Sequence, residues 1–415
     1  MSEEGGTLSG GVARRGYVLA ALTAIYAVNM MDRNILAILV EPIRQDMRIS
    51  DTQLGLLTGL AFALFYTVFG VPVGWVADRF GRVKIIAVSC MFWSLCTFAG
   101  SFASSFPMLA LSRAGVGIGE AGGTAPSYSL ISSFFPPQRR GFALGIFHLG
   151  SSVAAVVTAS IGAWIAQDYG WRMALAVVSL PGLVLAALLW LTVREPSHSA
   201  GKAPASPLWP TMRAFLTDRL LRTTALAAGF TAFSAYAIAA WLPAMLIRAK
   251  GMTLGDVAIW YGVTSALALG LGVGSAGWLA DRLAVRSGRA YALVPMGATL
   301  AMAAIIPLAA LLPNWPFALT AGLIALGLSN MFLAPLLTIV QNRSPEHCRS
   351  LYSATFLLIN NFIGAGFGSL YVGMISDAFA ARYGAQSLAI AFGALAPVAI
   401  IAAALHWRVS RILKS

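Results

Sequence analysis

Four ionisable side chains stand inside long apolar runs: Asp32 and Arg33 in one, Arg113 and Glu120 in another. A charge in a bilayer interior is expensive unless it is paired or hydrated, so each such residue is a candidate for function. Two carboxylates beside two guanidinium groups suit the uptake and release of protons. A carboxylate's proton affinity depends on how dry it is and which cations stand near it, so a motion that alters either makes it a carrier. Asp32 and Glu120 are therefore the candidate titrating pair, with Arg33 and Arg113 as tuning cations and anion anchors. A static ion-pair cluster that fixes helix packing would use the same residues. At corresponding depths the second half of the chain offers only uncharged polar groups: Tyr236, Asn330, Asn360 and Asn361.

Helix rise gives these residues approximate depths. A first helix starting near Tyr17 carries Asp32 about 22 Å from its start, and a fourth starting near Pro107 carries Arg113 about 9 Å and Glu120 about 20 Å in from the opposite face. In a hydrocarbon core of about 30 Å, Asp32 and Arg33 then lie level with Arg113. Glu120 falls about 10 Å nearer the cytoplasm on the same helix face as Arg113. The expectation is an Asp32–Arg113 pair, with Glu120 less well compensated near the midplane.

The elements that must hold these groups are legible from composition. Of 415 residues, 58% are hydrophobic and only 10% charged, against about 25% charged in a soluble domain. The apolar runs divide into twelve spans of the length a bilayer needs, at 17–40, 52–77, 84–104, 107–134, 141–166, 172–193, 220–248, 257–280, 291–312, 315–341, 350–375 and 385–407. The fold class is thus an all-α membrane protein of twelve transmembrane helices in two pseudo-symmetric six-helix bundles, residues 17–193 and 220–407. A polar linker at 194–219, rich in proline, joins them; 1–16 and 408–415 are tails. With the N-terminus inside, the inner segments hold 20 Lys and Arg and the outer loops 6. That skew places both termini and the linker in the cytoplasm. The net charge of +13 is then an orientation signal and not a nucleic-acid footprint.

A repeat supports the two halves. Gly74-Trp75-Val76-Ala77-Asp78-Arg79 recurs as Gly277-Trp278-Leu279-Ala280-Asp281-Arg282, 203 positions later. Each copy closes an apolar run and opens a short basic loop, as an internal structural repeat would. Asp78 opposes the C-terminal dipole of its helix, and Arg79 and Arg82 compensate it. Gly162 to Asp168 and Gly373 to Asp377 are fainter echoes, expected to mark inverted three-helix units within each half.

Twelve helices, a central linker and the Gly-x-x-x-Asp-Arg-x-Gly-Arg loop (Gly74, Asp78, Arg79, Gly81, Arg82) resemble the major facilitator superfamily. Arg113-Ala114-Gly115-Val116-Gly117-Ile118-Gly119-Glu120-Ala121 is similar to its fourth-helix pattern. Asn29-Met30-Met31-Asp32-Arg33 and Gly117 to Ala121 with Ala125-Pro126 resemble the spinster-like branch, whose animal members are linked to export of sphingosine phosphate and lysophospholipids. The Asp-Arg pair and Gly-Glu-Ala run also resemble organic-anion/proton symporters. The resemblance implies two halves that rock about a midplane site, and a loop cluster that latches the cytoplasmic side. In the second copy Asp281 and Arg282 are kept, while Ala284-Val285 replaces Gly81-Arg82.

For cargo, Phe230, Phe233 and Tyr236 recur every three residues along one helix and would line an amphipathic cavity or face lipid; Asn330, Asn360 and Asn361 supply polarity. Gly364, Gly366 and Gly368 read as close helix packing, Trp171, Trp241, Trp315 and Trp407 as interface anchors, and His148 as a satisfied interior residue. Cys90, Cys96 and Cys348 make no disulfide framework, the histidines have no metal-ligand spacing, and no P-loop occurs. No nucleophile–base constellation points to an enzyme. The expected function is a monomeric, cofactor-free, proton-coupled transporter in the cell membrane, its partners membrane lipids and a lysolipid or sphingosine-phosphate-like amphiphile. The runner-up is a proton symporter of a small organic anion; a receptor or sensor without transport is the reading from another class.

Overall fold

A computed structural model describes residues 4–135, 137–194, 208–345 and 349–413. Every regular element among them is helical: α1 (Glu4–Met47), α2 (Asp51–Gly55), α3 (Ala61–Phe80), α4 (Arg82–Gly100), α5 (Phe106–Glu120), α6 (Thr124–Phe134), α7 (Pro137–Val157), α8 (Ala163–Thr192), α9 (Leu208–Thr217), α10 (Arg219–Lys250), α11 (Leu254–Asp256), α12 (Gly262–Ala284), α13 (Ala290–Leu311), α14 (Trp315–Ser329), α15 (Leu333–Arg343), α16 (Arg349–Tyr383), α17 (Ser387–Gly393) and α18 (Leu395–Ile412). With no water in the hydrocarbon, backbone groups must be satisfied within each segment, which is what a helix does.

Among the described residues nine stretches are long and apolar enough to cross a membrane. Two of them, Phe142–Thr192 and Leu351–Ile412, run to 51 and 62 residues, and a crossing takes about 20. Each therefore holds two spans. In the first the break is Gly170, whose φ of 83° interrupts α8, a left-handed backbone that glycine tolerates. The broken pair α5 and α6 forms one further span, and twelve result.

The repeat extends beyond the loop motif. Ser50 caps α2 in a capping box with Gln53, and Thr253 caps α11 in one with Asp256. These caps are again 203 positions apart. Each is followed by a five-residue π-helical turn, Leu56–Leu60 and Val257–Tyr261. Both spans thus begin with the same side-chain cap and the same wide turn, and both end in the Asp-Arg loop.

The chain forms two compact units. The first is Met1–Leu39 with Leu64–Ser199; the second is Val40–Ala63 with Ala200–Ser415. The sequence assigns Val40–Ala63 to the first bundle, yet this end of α1, with α2 and the π turn, packs in the second. Small residues allow it. A Cβ on Gly55 would stand 2.7 Å from the Ser369 carbonyl oxygen, and one on Gly373 would collide with the Asp51 backbone.

Candidate functional site

Helix α1 brings Asn29, Asp32 and Arg33 to the first unit's interior. Four residues return Asn29 and Arg33 to one face. Helix α5 contributes Arg113 and Glu120, seven apart and again on one face. It lies close against α4, where a Cβ on Gly119 would come 2.8 Å from Cβ of Trp93. The helix ends at Glu120, and a turn through Ala121–Gly123 precedes α6. Glu120 therefore stands at a break inside a span, the kind of position where carriers place ligand and ion contacts. The tenth span breaks in the same manner at Asn330, which caps α14 and donates its amide to the Leu326 carbonyl at 2.9 Å. One polar residue marks each break, charged in the first half and neutral in the second.

The pairing differs from the depth-based expectation. Arg33 Nε donates to Glu120 Oε2 at 2.5 Å, with Glu120 fully buried and Arg33 23% exposed. Arg113, 3% exposed, donates Nη2 to the backbone carbonyl of Asp32 at 3.4 Å. The Asp32 carboxylate is fully buried. Thr97 and Trp93 of α4 are its polar neighbours, within electrostatic reach of Arg113 and Glu120. The correction has a simple cause: depth arithmetic uses Cα positions, and an arginine carries its charge several ångströms from there. The Arg33 side chain reaches Glu120. Its guanidinium also lies 4.7 Å from the Tyr66 ring centroid, a favourable cation–π geometry.

A second charged cluster escaped the sequence reading. Arg248, near the end of α10, donates Nε to Glu41 at 2.7 Å and bridges both Asp51 oxygens at 2.5 and 2.9 Å. All three side chains are at most 7% exposed. Ser376 donates to Asp51 at 2.5 Å, and Asp377 accepts from the backbone N–H groups of Asp51 and Thr52 at 3.0 and 2.7 Å. Asp377, noted only as an echo at a helix end, caps another helix. Counting Arg248 as an outer-loop charge concealed this. The usable signal was two acids at consecutive helix ends, 41 and 51, facing one arginine.

The cavity candidates do not share a face. Phe230 is half-buried, Phe233 is 9% exposed and packs edge-on against Tyr371, and Tyr236 is 38% exposed. Steps of three residues each fall about 60° short of a full turn, so six residues turn the stripe by about 120°. Tyr236 donates its hydroxyl to Asn361 at 3.3 Å, and the buried Asn360 amide donates to the same oxygen at 3.3 Å. Gly364 and Gly368 lie against Ala232 and Phe233 of α10, the close packing expected of them, whereas a Cβ on Gly366 would meet Leu60 at an ordinary 3.5 Å. Trp241 is no interface anchor. It is fully buried and donates Nε1 to Ser369 at 2.9 Å. His148 is exposed, not interior.

At the loop motif, Gly81 has a φ of 103°, which accounts for glycine there. Arg82 donates to Ser133 at 3.1 Å, and Arg79 lies 6.0 Å from the Phe80 ring centroid. The Gly74 and Asp78 side-chain positions fall outside the described residues. In the second copy Asp281 accepts from Tyr291 at 2.9 Å, and Arg282 lies over Trp278 at 5.2 Å.

Twelve apolar helices in a twofold repeat, with a cluster of buried charges in each unit, define a polytopic membrane transporter. The family model of the Major Facilitator Superfamily matches residues 22–369, and the chain belongs to that superfamily. It is 31% identical over 406 residues to an MFS-type efflux pump of Mycolicibacterium smegmatis, covering 96% of this chain and 94% of that protein. It is 31% identical over 385 residues to the protein spinster of Drosophila melanogaster, covering 87% of this chain and 62% of that one. A crystal structure of a bacterial homologue of the human lysosomal transporter Spinster, inward-facing and unoccupied, superposes with a TM-score of 0.84 at 29% identity, covering 96% of this chain and 97% of that one. Within the superfamily the chain resembles the spinster-like branch.

Proposed function

We propose that the protein is a proton-coupled carrier that exports an anionic amphiphile of lysolipid or sphingosine-phosphate type by alternating access. The observation that carries this reading is the division of labour in the buried cluster. Glu120 is held by Arg33, whereas the Asp32 carboxylate is buried beside the Thr97 and Trp93 side chains, with Arg113 acting on it at longer range. A guanidinium in contact favours the ionised form of a carboxylate, and its withdrawal favours protonation. An anionic head group that draws Arg33 away would let Glu120 take a proton. Asp32, beside Arg113, serves as the second proton site. Occupancy by cargo and protonation are then linked through one arginine.

The cargo class rests on the scarcity of charge in the second half and on similarity to an efflux pump and to spinster proteins. The buried ion pairs at Arg248 serve as the outer latch, broken when the outer side opens, and the loop motif serves at the cytoplasmic side. Both termini are assigned to the cytoplasm of a cell membrane by the distribution of basic residues. The test is flux of sphingosine phosphate or lysophosphatidic acid in proteoliposomes under an imposed pH gradient. Gradient-driven flux that disappears in Asp32→Asn and in Glu120→Gln supports the reading. Flux of glucuronate but neither lipid would assign the small-anion alternative instead.

A further inference from the structure

Beside the proton cluster, the first unit holds an aromatic and imidazole group that the reading above leaves unused. Tyr26 of α1 stacks on Phe147 of α7 with ring centroids 4.4 Å apart and meets His148 edge-on at 5.4 Å. Tyr128 of α6 packs edge-on against Phe147 at 5.6 Å, and its hydroxyl and His148 Nε2 are hydrogen-bonded at 3.0 Å. Tyr66, under the Arg33 guanidinium, lies within electrostatic reach of Tyr128, as does Tyr26. The group thus runs from Arg33 to His148 across four helices.

Its exposed edge does not suit hydrocarbon. Helix α7 shows two exposed faces. Phe142, Leu149 and Val153, 74, 59 and 55% exposed, form an apolar one of the kind that meets lipid. His148 lies about 100° around the helix from Leu149, next to the half-buried Ser151 and the half-buried Tyr128. An exposed imidazole beside a half-buried phenol would be costly against acyl chains and useful against a polar ligand.

The ligand chemistry follows from donors and acceptors. Tyr hydroxyls donate and accept, and a neutral imidazole does one of each, so these groups suit a neutral hydroxyl and not a bare anion. Arg33 suits the anion. Tyr26 and Arg33 are seven residues apart on α1, about 10 Å along one face. That separation matches a head group with a charged phosphate and a further polyol part.

We propose that Tyr128 and His148, floored by Tyr26 and Phe147, form a head-group subsite that reads hydroxyl groups on an anionic amphiphile whose phosphate is held at Arg33. This rests on the proposed amphiphile cargo and specifies its head group.

The test is binding to the full chain in lipid nanodiscs, with empty discs subtracted, of two probes of equal charge. Lysophosphatidylglycerol carries two free glycerol hydroxyls on its phosphodiester, and lysophosphatidylmethanol carries none there. The wild type should bind the glycerol probe about tenfold more tightly, the scale of one well-made hydrogen bond. Tyr128→Phe and His148→Leu should each remove that preference and leave methanol-probe affinity unchanged. Equal wild-type affinities, or variants that weaken both probes alike, overturn the subsite while leaving the amphiphile reading intact. Binding of neither probe to a protein whose melting temperature is normal overturns both.

Discussion

Arg33 and Glu120, 87 positions apart in the chain, meet Nε to Oε2 at 2.5 Å with the carboxylate fully buried. That contact places the positive charge on the acid that depth alone had left uncompensated. It also separates the roles of the two acids: one is clasped, the other is buried among Thr97, Trp93 and Arg113. A proton-coupled cycle follows if cargo and Glu120 compete for the same guanidinium.

Removing the clasp should therefore be felt in coupling before it is felt in binding of protons elsewhere. Arg33→Gln leaves Glu120 buried without its cation, and breaking a buried pair from one side costs about 3–5 kcal/mol. The expected outcome is a lower melting temperature, restored in Arg33→Gln/Glu120→Gln, together with loss of concentrative transport in both. A double variant no more stable than the single would show that the pair carries no coupling energy.

Arg113 should behave differently. It donates to the Asp32 carbonyl, and its charge acts on the Asp32 carboxylate. Arg113→Ala should destabilise the protein, and Asp32→Asn added to it should recover part of the loss. Thermal unfolding of the four proteins in the cycle checks this. Strict additivity would mean that Arg113 and Asp32 do not interact.

The Arg248 cluster predicts an effect on access. Arg248→Ala leaves the nearly buried Asp51 without its cation and Glu41 with only Arg44 at 3.4 Å. A cysteine at position 58, where Thr58 meets Ser369 at 2.5 Å, reports the change in a background lacking the natural cysteines. Labelling by a membrane-impermeant maleimide added outside should accelerate by about an order of magnitude, the factor that about 1.4 kcal/mol of lost closure energy gives. An unchanged rate would deny the latch role.

The same reporter tests the packing beneath the latch. Gly55 has no room for a side chain against Ser369 and Leu370, so Gly55→Val should hold these backbones apart. Faster labelling at position 58 with reduced transport is expected. Wild-type transport in Gly55→Val would show that the close approach is dispensable.

Much of this architecture was legible because its signals are periodic or repeated. Twelve spans follow from apolar run length, and the paired loop motif follows from identity at a fixed offset. The repeated cap, Ser50 and Thr253, was equally readable but consists of small polar residues that attract little notice. The four intramembrane charges stood out because lipid makes charge rare. Their pairing did not, because side-chain reach is invisible in a linear depth scale. Arg248 was missed for a related reason: at the end of a span a charge looks like a topology signal until its buried partners are seen. The stripe of Phe230, Phe233 and Tyr236 failed through helical phase, and His148 through the assumption that a lone histidine in an apolar helix is interior.

The most direct measurement is proton movement itself. Proteoliposomes loaded with a pH-sensitive dye report protons crossing as lysophosphatidic acid is transported, and labelled lipid exchange at equal pH reports carrier motion without net coupling. The account predicts cargo-dependent proton flux in the wild type, and in Asp32→Asn/Glu120→Gln no such flux while lipid exchange persists. Proton flux per lipid unchanged in the double variant would contradict it.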